Sequence, residues 1–149
     1  MSSVLAKLLS HNGNQDRRTP KELFDELNNE FNFQLDPCTS TSKPNNLGTP
    51  HFFKYPEQDG LQEDWSKYKS VFVNPPFRDA YKWLKKAKEE SEKGCTVVVL
   101  LPSKTETKWW HEFALKADEI RFVQRRVTFE GHKDPFIIGI ALIIFKEQQ

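Results

Sequence analysis

The sequence predicts an α/β fold, a three-layer sandwich around a mostly parallel sheet. Residues 71–73 and 96–102 are short apolar runs rich in valine, which are typical of parallel strands buried on both faces. Between them, residues 78–93 carry apolar side chains at helical spacing and lysines on the other faces. This pattern predicts an amphipathic helix that ends at Gly94. A helix between two central strands favours the α/β class.

A length of 149 residues suits one domain with a sizeable core and leaves no room for a separate target-recognition domain. Residues 1–16 are polar and irregular, so we expect a flexible N-terminal arm, followed by a single domain over residues 17–149. No signal peptide, lipidation signal or apolar run of membrane length is present in the sequence.

Charge and cysteine content narrow the functional class only slightly. The net charge of +1 neither demands nor excludes nucleic acid, so any such contact must come from a local basic patch. Cys38 and Cys95 are far apart and follow no ligand spacing. This argues against a disulfide framework or a metal site and favours a reducing, cytoplasmic environment.

The domain is expected to open with a helix. Arg17 and Arg18 precede it, either as solvated surface charges or as phosphate contacts. Thr19 suits an N-cap and Pro20 a first helical residue, and apolar side chains at helical spacing predict a helix to about Glu30.

A short first strand is predicted over residues 33–36, with Asp36 at its tip. A carboxylate there could hold a cofactor's ammonium or ribose hydroxyls, and the Asp36–Pro37 step could equally be a strand-to-turn cap. Residues 43–60 are rich in proline and asparagine. A full strand–helix unit does not fit, so we expect a sheet that is shortened in this region.

Asp64 and Trp65 follow this loop, and two interpretations of the pair stay open. They could form a surface turn with a buried tryptophan, or an acid and an aromatic ring at the edge of a nucleoside pocket.

The stretch after the strand at 71–73 carries the clearest chemistry. Asn74 stands at the carboxyl end of the strand, where ligands bind in open α/β sheets, and Pro75 and Pro76 stop the strand. The Asn74 side-chain oxygen and the Pro75 carbonyl could each accept one hydrogen of an exocyclic amine. They would thereby push its lone pair outward and stabilise the charge that develops. Phe77 offers a ring for base stacking, worth ~1–3 kcal/mol.

Candidate substrate contacts lie in the last third of the chain. Ser103 follows the strand at 96–102 and could contact substrate or cap the next helix, expected over residues 106–116. Arg125, Arg126 and Lys133 carry local positive charge before the last strand, expected over residues 137–145. They could meet phosphates or be exposed hairpin charges.

The residues Asn74-Pro75-Pro76-Phe77 resemble the (Asp/Asn/Ser)-Pro-Pro-(Tyr/Phe/Trp) motif of amino-methyltransferases that use S-adenosylmethionine. The ordered set of segments resembles the phage-type DNA N6-adenine methyltransferase (Dam) family from about Thr19 to Phe145. The set comprises Thr19-Pro20, Leu35-Asp36-Pro37-Cys38, Gln58-Asp59-Gly60-Leu61, Asp64-Trp65 and the Asn-Pro-Pro-Phe motif.

The resemblance implies a Rossmann-like sheet with an antiparallel last strand, and methylation of adenine N6 in DNA. S-adenosylmethionine would lie across Asp36, Pro37, Asp64 and Trp65. The Thr19–Pro20 segment would close over its methionine end.

For the substrate, the resemblance implies an adenine flipped out of the duplex onto Phe77, with Phe129 over its second face. Arg125, Arg126 and Lys133 would meet the phosphates. A chain this short could need a second copy to grip a duplex, so a monomer and a homodimer both stay open.

Two alternatives remain at this stage. The same tetrad serves methyltransferases that act on RNA bases or on protein glutamine. A glycine-rich cofactor loop is replaced here by residues 39–42, Thr-Ser-Thr-Ser. This departure favours the second alternative, a non-catalytic DNA-binding module with a methyltransferase fold.

Overall fold

The computed structural model describes residues 17–40 and 43–148. Its helices are α1 (Lys21–Phe31), α2 (Ala80–Glu92) and α3 (Lys108–Glu112). Its strands are β1 (Leu35–Ser40), β2 (His51–Tyr55), β3 (Ser70–Val73), β4 (Thr96–Pro102), β5 (Glu119–Phe122) and β6 (Ile140–Phe145). Short 3₁₀ turns cover Phe77–Asp79 and Ala114–Lys116. The predicted arm over residues 1–16 lies outside the described residues.

The six strands form one mixed sheet in the order β2-β1-β3-β4-β6-β5. β1 pairs in parallel with β2 and β3, and β3 pairs in parallel with β4. β6 is antiparallel to both of its neighbours, β4 and β5, so the other five strands share one direction. The expected α/β class and the antiparallel last strand are confirmed, and the three-layer, Rossmann-like arrangement stays a prediction.

The core is centred on β4 and β6, where nearly every residue is buried. Because successive side chains of a strand point to opposite faces, this burial means that both faces of the sheet centre are covered. α1 contributes Phe24, whose ring meets Phe72 of β3 edge-on, with ring centroids 5.3 Å apart. α2 buries Trp83 and Leu84.

One local expectation was wrong, and one strand was not expected. Thr19 does not cap α1: Pro20 holds the N-cap position, and the Lys21 N–H donates to Glu130 Oε1 from the distant C-terminal part of the chain instead. The region 43–60 contains an extra edge strand, β2, although no helix joins it to β1 within the described residues 43–50. The sequence missed β2 because its side chains are mostly exposed and do not alternate.

Among the described residues, no helix is long and apolar enough to cross a membrane. No group of three or more His, Cys, Asp or Glu side chains in that part of the chain is placed to hold a metal ion.

Candidate active site

Asn74 lies at the carboxyl end of β3 and is almost completely buried, with 3% of its surface exposed. β3 ends there because the two prolines that follow cannot donate to a sheet ladder. The chain then turns at once into the 3₁₀ segment Phe77–Asp79 and α2. A polar side chain is therefore held in the interior at the edge of the sheet where ligands bind.

The carboxamide of Asn74 is held from one side only. Its Nδ2 donates to the main-chain oxygen of Arg17 and to Thr19 Oγ1, the latter at 3.0 Å. Because a carbonyl oxygen can only accept, the atom facing Arg17 must be the nitrogen. Asn74 Oδ1 is buried and has no hydrogen-bond partner. The amide orientation is fixed, and its acceptor is left open.

The Pro75 and Pro76 carbonyls differ in whether a backbone N–H donates to them. The Pro76 carbonyl accepts the Asp79 N–H at 3.0 Å, which closes the 3₁₀ turn. Within residues 17–40 and 43–148, no backbone N–H donates to the Pro75 carbonyl. The two acceptors that the sequence singled out, Asn74 Oδ1 and the Pro75 oxygen, are thus those without a backbone donor from this part of the chain.

Phe77 belongs to an aromatic cluster and is not an open platform. Its ring meets Phe129 and Phe136 edge-on, with centroid separations of 5.9 and 5.4 Å. The guanidinium of Arg17 lies 5.4 Å from the centroid of Phe77 and 5.1 Å from that of Phe136. We call the set Arg17, Thr19, Asn74, Phe77 and Phe136 the Asn74 corner.

A cavity of about 490 Å³ lies between the ends of β1 and β3. Its lining includes Pro37, the residue directly after Asp36. It also includes Pro76, which comes two residues after Asn74. Its volume falls in the range of small-molecule sites, ~300–1,000 Å³. The sequence had placed a site between Asn74 and Asp36; the cavity lies beside these two strand ends, and neither Asn74 nor Asp36 is among the residues that line it.

The cavity walls carry charges of both signs. Lys43 and Arg78 provide cations, and Asp59 and Asp79 provide carboxylates. Such a mixed lining suits a ligand that itself carries both ammonium and carboxylate groups.

Gly60 is required where the cavity wall meets β1. A Cβ at this position would overlap the Pro37 carbonyl oxygen and lie 2.9 Å from the Trp83 ring. The turn that contains Gly60 can therefore approach β1 closely only without a side chain.

Asp36 is buried, and its Oδ1 accepts the N–H of Cys38 at 3.2 Å. Burial raises the pKa of its carboxyl group, against the opposing influence of Lys43. Burial also raises the pKa of the Cys38 thiol to about 11 and that of Cys95 to about 12. Both thiols are therefore protonated at neutral pH, as expected for cysteines without a nucleophilic role.

Trp65 lies in the interior with no exposed surface, and it does not line the cavity. Its Nε1 donates to the Gly60 carbonyl at 2.8 Å, its main-chain N–H donates to Glu90 Oε1 at 2.6 Å, and its ring stacks on Trp83. We call Gly60, Trp65, Trp83 and Glu90 the Trp65 cluster. The adjacent Asp64 is exposed, and its Oδ1 accepts from the backbone and hydroxyl of Ser66.

The other candidate residues differ in burial and in the contacts they make. Ser103 is half-buried just after β4, and its N–H donates to the Gly139 carbonyl. Phe129 is buried behind Phe77. The exposed side chains among the candidates are those of Arg125, Arg126 and Lys133. Pro20 lies beside the Asn74 corner at the start of α1.

Sequence reasoning missed three residues of this region: Arg17 as a partner of aromatic rings, Phe136 and Glu130. Glu130 fastens the start of α1 through Lys21, and its own N–H donates to the Arg18 carbonyl. These contacts join positions far apart in the sequence, and no local pattern records them. The one available signal was the pair of phenylalanines, Phe129 and Phe136, on either side of a charged loop.

Comparison with known proteins adds a family match. Residues 8–140 match the family described as DNA N-6-adenine-methyltransferase (Dam). The chain is 30% identical over 111 residues to the DNA N-6-adenine-methyltransferase of Escherichia phage T1. That alignment covers 74% of this chain and 45% of the phage protein, so the chain spans less than half the length of this relative.

Proposed function

Because the chain belongs to the DNA N-6-adenine-methyltransferase (Dam) family, we propose that it transfers a methyl group from S-adenosylmethionine to adenine N6 in DNA. The observation that carries the proposal is the state of Asn74. Its nitrogen is held by Arg17 and Thr19, and its buried oxygen has no partner. A buried acceptor without a donor is rare in native proteins, and a missing substrate hydrogen bond accounts for it.

Asn74 and Pro75 would act on the amine directly. An amino group on an aromatic base is a poor nucleophile, because its lone pair is delocalised into the ring. Asn74 Oδ1 and the Pro75 carbonyl would accept its two hydrogens, favour a pyramidal nitrogen and stabilise its growing positive charge. Since Thr19 and Arg17 fix the amide before the substrate arrives, no reorganisation is needed during the reaction.

The cavity beside the strand ends suits the cofactor. Bound S-adenosylmethionine would supply an electrophilic methyl group. Asp59 and Asp79 would face its cationic groups, and Lys43 and Arg78 its carboxylate. This mixed lining supports the assignment although the glycine-rich loop is missing.

The residues that the resemblance linked to the cofactor take different places in this proposal. Pro37 lines the cavity, with Asp36 directly before it. Trp65 would act indirectly, by holding the Gly60 carbonyl in the cavity wall. A direct contact of Asp64, Thr19 or Pro20 with the cofactor stays a prediction.

The target base would leave the duplex to reach Asn74, because N6 inside a stacked helix is inaccessible. Phe77 would contact the flipped base, Phe129 would support the Phe77 ring that it meets edge-on, and Ser103 after β4 would contact the substrate. Exposed Arg125, Arg126 and Lys133 would meet phosphates, which position the DNA without reading its sequence. The partner would thus be DNA, and one or two copies of the chain could bind it.

Tritium transfer from labelled S-adenosylmethionine tests the proposal. DNA, RNA and a protein mixture are offered in parallel to the wild type, to Asn74→Ala and to Asn29→Ala. Asn29 is an exposed residue of α1, so it provides the same chemical change away from the site. We expect label in adenine of DNA, and a loss of at least ~100-fold in Asn74→Ala, the size seen for one transition-state hydrogen bond.

Cofactor affinity, measured by calorimetry, separates the alternatives. We expect Asn74→Ala to bind S-adenosylmethionine nearly as well as the wild type. Label in RNA or protein would redirect the substrate class, and no binding at millimolar cofactor would favour a non-catalytic DNA-binding module. Equal losses of cofactor binding and transfer in Asn74→Ala would contradict the role given to its side chain.

A further inference from the structure

The side chain of Arg17 lies against the rings of Phe77 and Phe136. Phe77 and Phe136 meet at an interplanar angle of 72° and form a corner between their rings. The guanidinium of Arg17 sits in this corner, within 5.4 Å of both ring centroids. Phe77, which also meets Phe129, keeps only 5% of its surface exposed.

The arrangement leaves two polar atoms without partners. Arg17 Nη1 and Asn74 Oδ1 are both buried and both lack a hydrogen bond. One is a donor and the other an acceptor, and the corner does not pair them with each other. Burial also lowers the pKa of the Arg17 guanidinium, which reflects the loss of water around a charged group. A buried, unpaired guanidinium N–H is unfavourable, and the two aromatic rings provide favourable contacts that offset this penalty.

Building on the proposed function, we infer that Arg17 is a placeholder for the target adenine, which enters the Phe77–Phe136 corner by displacing the guanidinium. Both groups are flat and delocalised, and both pack on aromatic rings. The exchange gives both unpaired atoms, Arg17 Nη1 and Asn74 Oδ1, a hydrogen-bond partner. The adenine amine donates to Asn74 Oδ1, and Arg17 regains water or a DNA phosphate.

The backbone allows the side chain to leave without disturbing the catalytic amide. The main-chain oxygen of Arg17 holds Asn74 Nδ2, and the next residue, Arg18, is bridged to Glu130 through its own carbonyl. The main chain is therefore held at two successive carbonyls that follow the Arg17 Cα. Only the side chain needs to swing out when the base arrives.

Phe136 then becomes the second wall of the base site. Phe129, the residue that the sequence indicated, is 2% exposed and lies behind the corner. Phe136 is partly buried and is in direct contact with the guanidinium.

The test uses a duplex that carries the methylated sequence, identified by sequencing DNA from expressing cells. The base next to the target adenine is replaced by 2-aminopurine, whose fluorescence rises when its neighbour leaves the stack, so that the target keeps its N6 amine. Wild type, Arg17→Ala and Arg17→Lys are compared at saturating protein. Arg17→Lys keeps the charge, but its strongly hydrated ammonium makes a weaker placeholder. Arg18→Ala and Arg18→Lys are the matched controls, because the Arg18 side chain lies against Gly131 and not in the corner.

We expect the equilibrium between flipped and stacked base to rise roughly fivefold to tenfold in Arg17→Ala, the scale of two lost cation–π contacts. A smaller rise is expected in Arg17→Lys, and none in the two Arg18 variants. Circular dichroism confirms that each variant is folded.

The outcomes separate the inference from the function beneath it. If no adenine is methylated in expressing cells, the proposed function fails and the placeholder fails with it. If adenine is methylated but the Arg17 variants flip the base no more than the Arg18 variants do, only the placeholder is overturned.

Discussion

The Asn74 corner and the Trp65 cluster are both buried and polar, and they differ in how completely their hydrogen bonds are satisfied. In the Trp65 cluster, Glu90 accepts the Trp65 N–H and pairs with Lys86 and Lys93 at 3.2 and 2.8 Å. The Trp65 indole N–H is also taken, by the Gly60 carbonyl. In the Asn74 corner, one acceptor and one donor stay unpaired.

This difference separates a structural network from a binding site. A buried network with every group paired is rigid and gains nothing from a ligand. A buried group without a partner is unfavourable in the protein alone, and a ligand that pairs with it removes this penalty. Changes in the Trp65 cluster should therefore act mainly on folding, and changes in the Asn74 corner mainly on transfer.

The largest effect on stability is expected for Glu90→Ala. The substitution leaves the buried Trp65 N–H without an acceptor and removes the common partner of Lys86 and Lys93. Because the two lysines can turn toward water more easily than Trp65 can, we expect a loss of about 3 kcal/mol in the free energy of unfolding. Urea unfolding measures it. A Glu89→Ala control, at an exposed position of α2, should change stability by less than about 0.5 kcal/mol.

The comparison would break down if Glu90→Ala left stability intact and abolished methyl transfer in folded protein. The cluster would then belong to the site and not to its support.

Gly60→Ala should affect both regions, because Gly60 lines the cavity and its carbonyl holds Trp65. The new methyl group would overlap the Pro37 carbonyl, and this oxygen belongs to a strand that cannot easily shift. We expect a loss of about 2 kcal/mol in stability, the usual scale of overpacking, together with weaker binding of S-adenosylmethionine. Thermal unfolding and calorimetry measure the two effects.

Gly48→Ala provides a control for the added methyl group. A Cβ there meets nothing within 4 Å, although its positive φ makes it strained, so only stability should fall. Unchanged cofactor affinity in Gly60→Ala would show that this wall does not contact the cofactor.

Features with local causes could be predicted from the sequence, and features that depend on distant contacts could not. β4 and Asn74 at the end of β3 were predictable, because runs of valine and paired prolines act on their own neighbourhood. The exposed edge strand β2 was not predictable. It is a strand because its backbone pairs with β1, and its side chains carry no strand pattern. Thr19 was expected to cap α1 but binds Asn74, 55 residues away. A short hydroxyl side chain suits either role, and only the fold decides between them.

Thr19→Val should have an effect of intermediate size, confined to the Asn74 corner. Valine keeps the shape of threonine and removes the acceptor of Asn74 Nδ2, which keeps its bond to the Arg17 carbonyl. A less firmly oriented amide should slow transfer about 10-fold, equivalent to about 1.4 kcal/mol. Single-turnover methyl transfer measures this loss. Thr19→Ser, which retains the hydroxyl, should restore most of the rate. Equal rates in Thr19→Val and Thr19→Ser would show that the Thr19 hydroxyl does not position Asn74.

The smallest effects should appear in the pH dependence of stability, with opposite signs for two carboxylates. Burial raises the pKa of Asp36 in the folded protein, so the native state binds a proton that the unfolded chain releases above pH ~4. Its contribution to stability is therefore lost as the pH rises from about 4 through the raised pKa. Asp36→Asn, which cannot ionise, should be more stable than the wild type at neutral pH. This difference in stability should be smaller at pH 4.

Asp64 beside the Trp65 cluster should behave in the reverse way. The Ser66 hydroxyl and N–H donate to its carboxylate and lower its pKa to about 2. Its contribution is present above pH ~4 and is lost as the pH falls toward 2. Asp64→Asn should thus be slightly less stable than the wild type at neutral pH, and the difference should vanish near pH 2. Urea unfolding of both variants from pH 2 to 8 tests the pair. Slopes of the same sign for the two variants would contradict these environments, in which Asp36 is desolvated by burial and Asp64 has two hydrogen-bond donors.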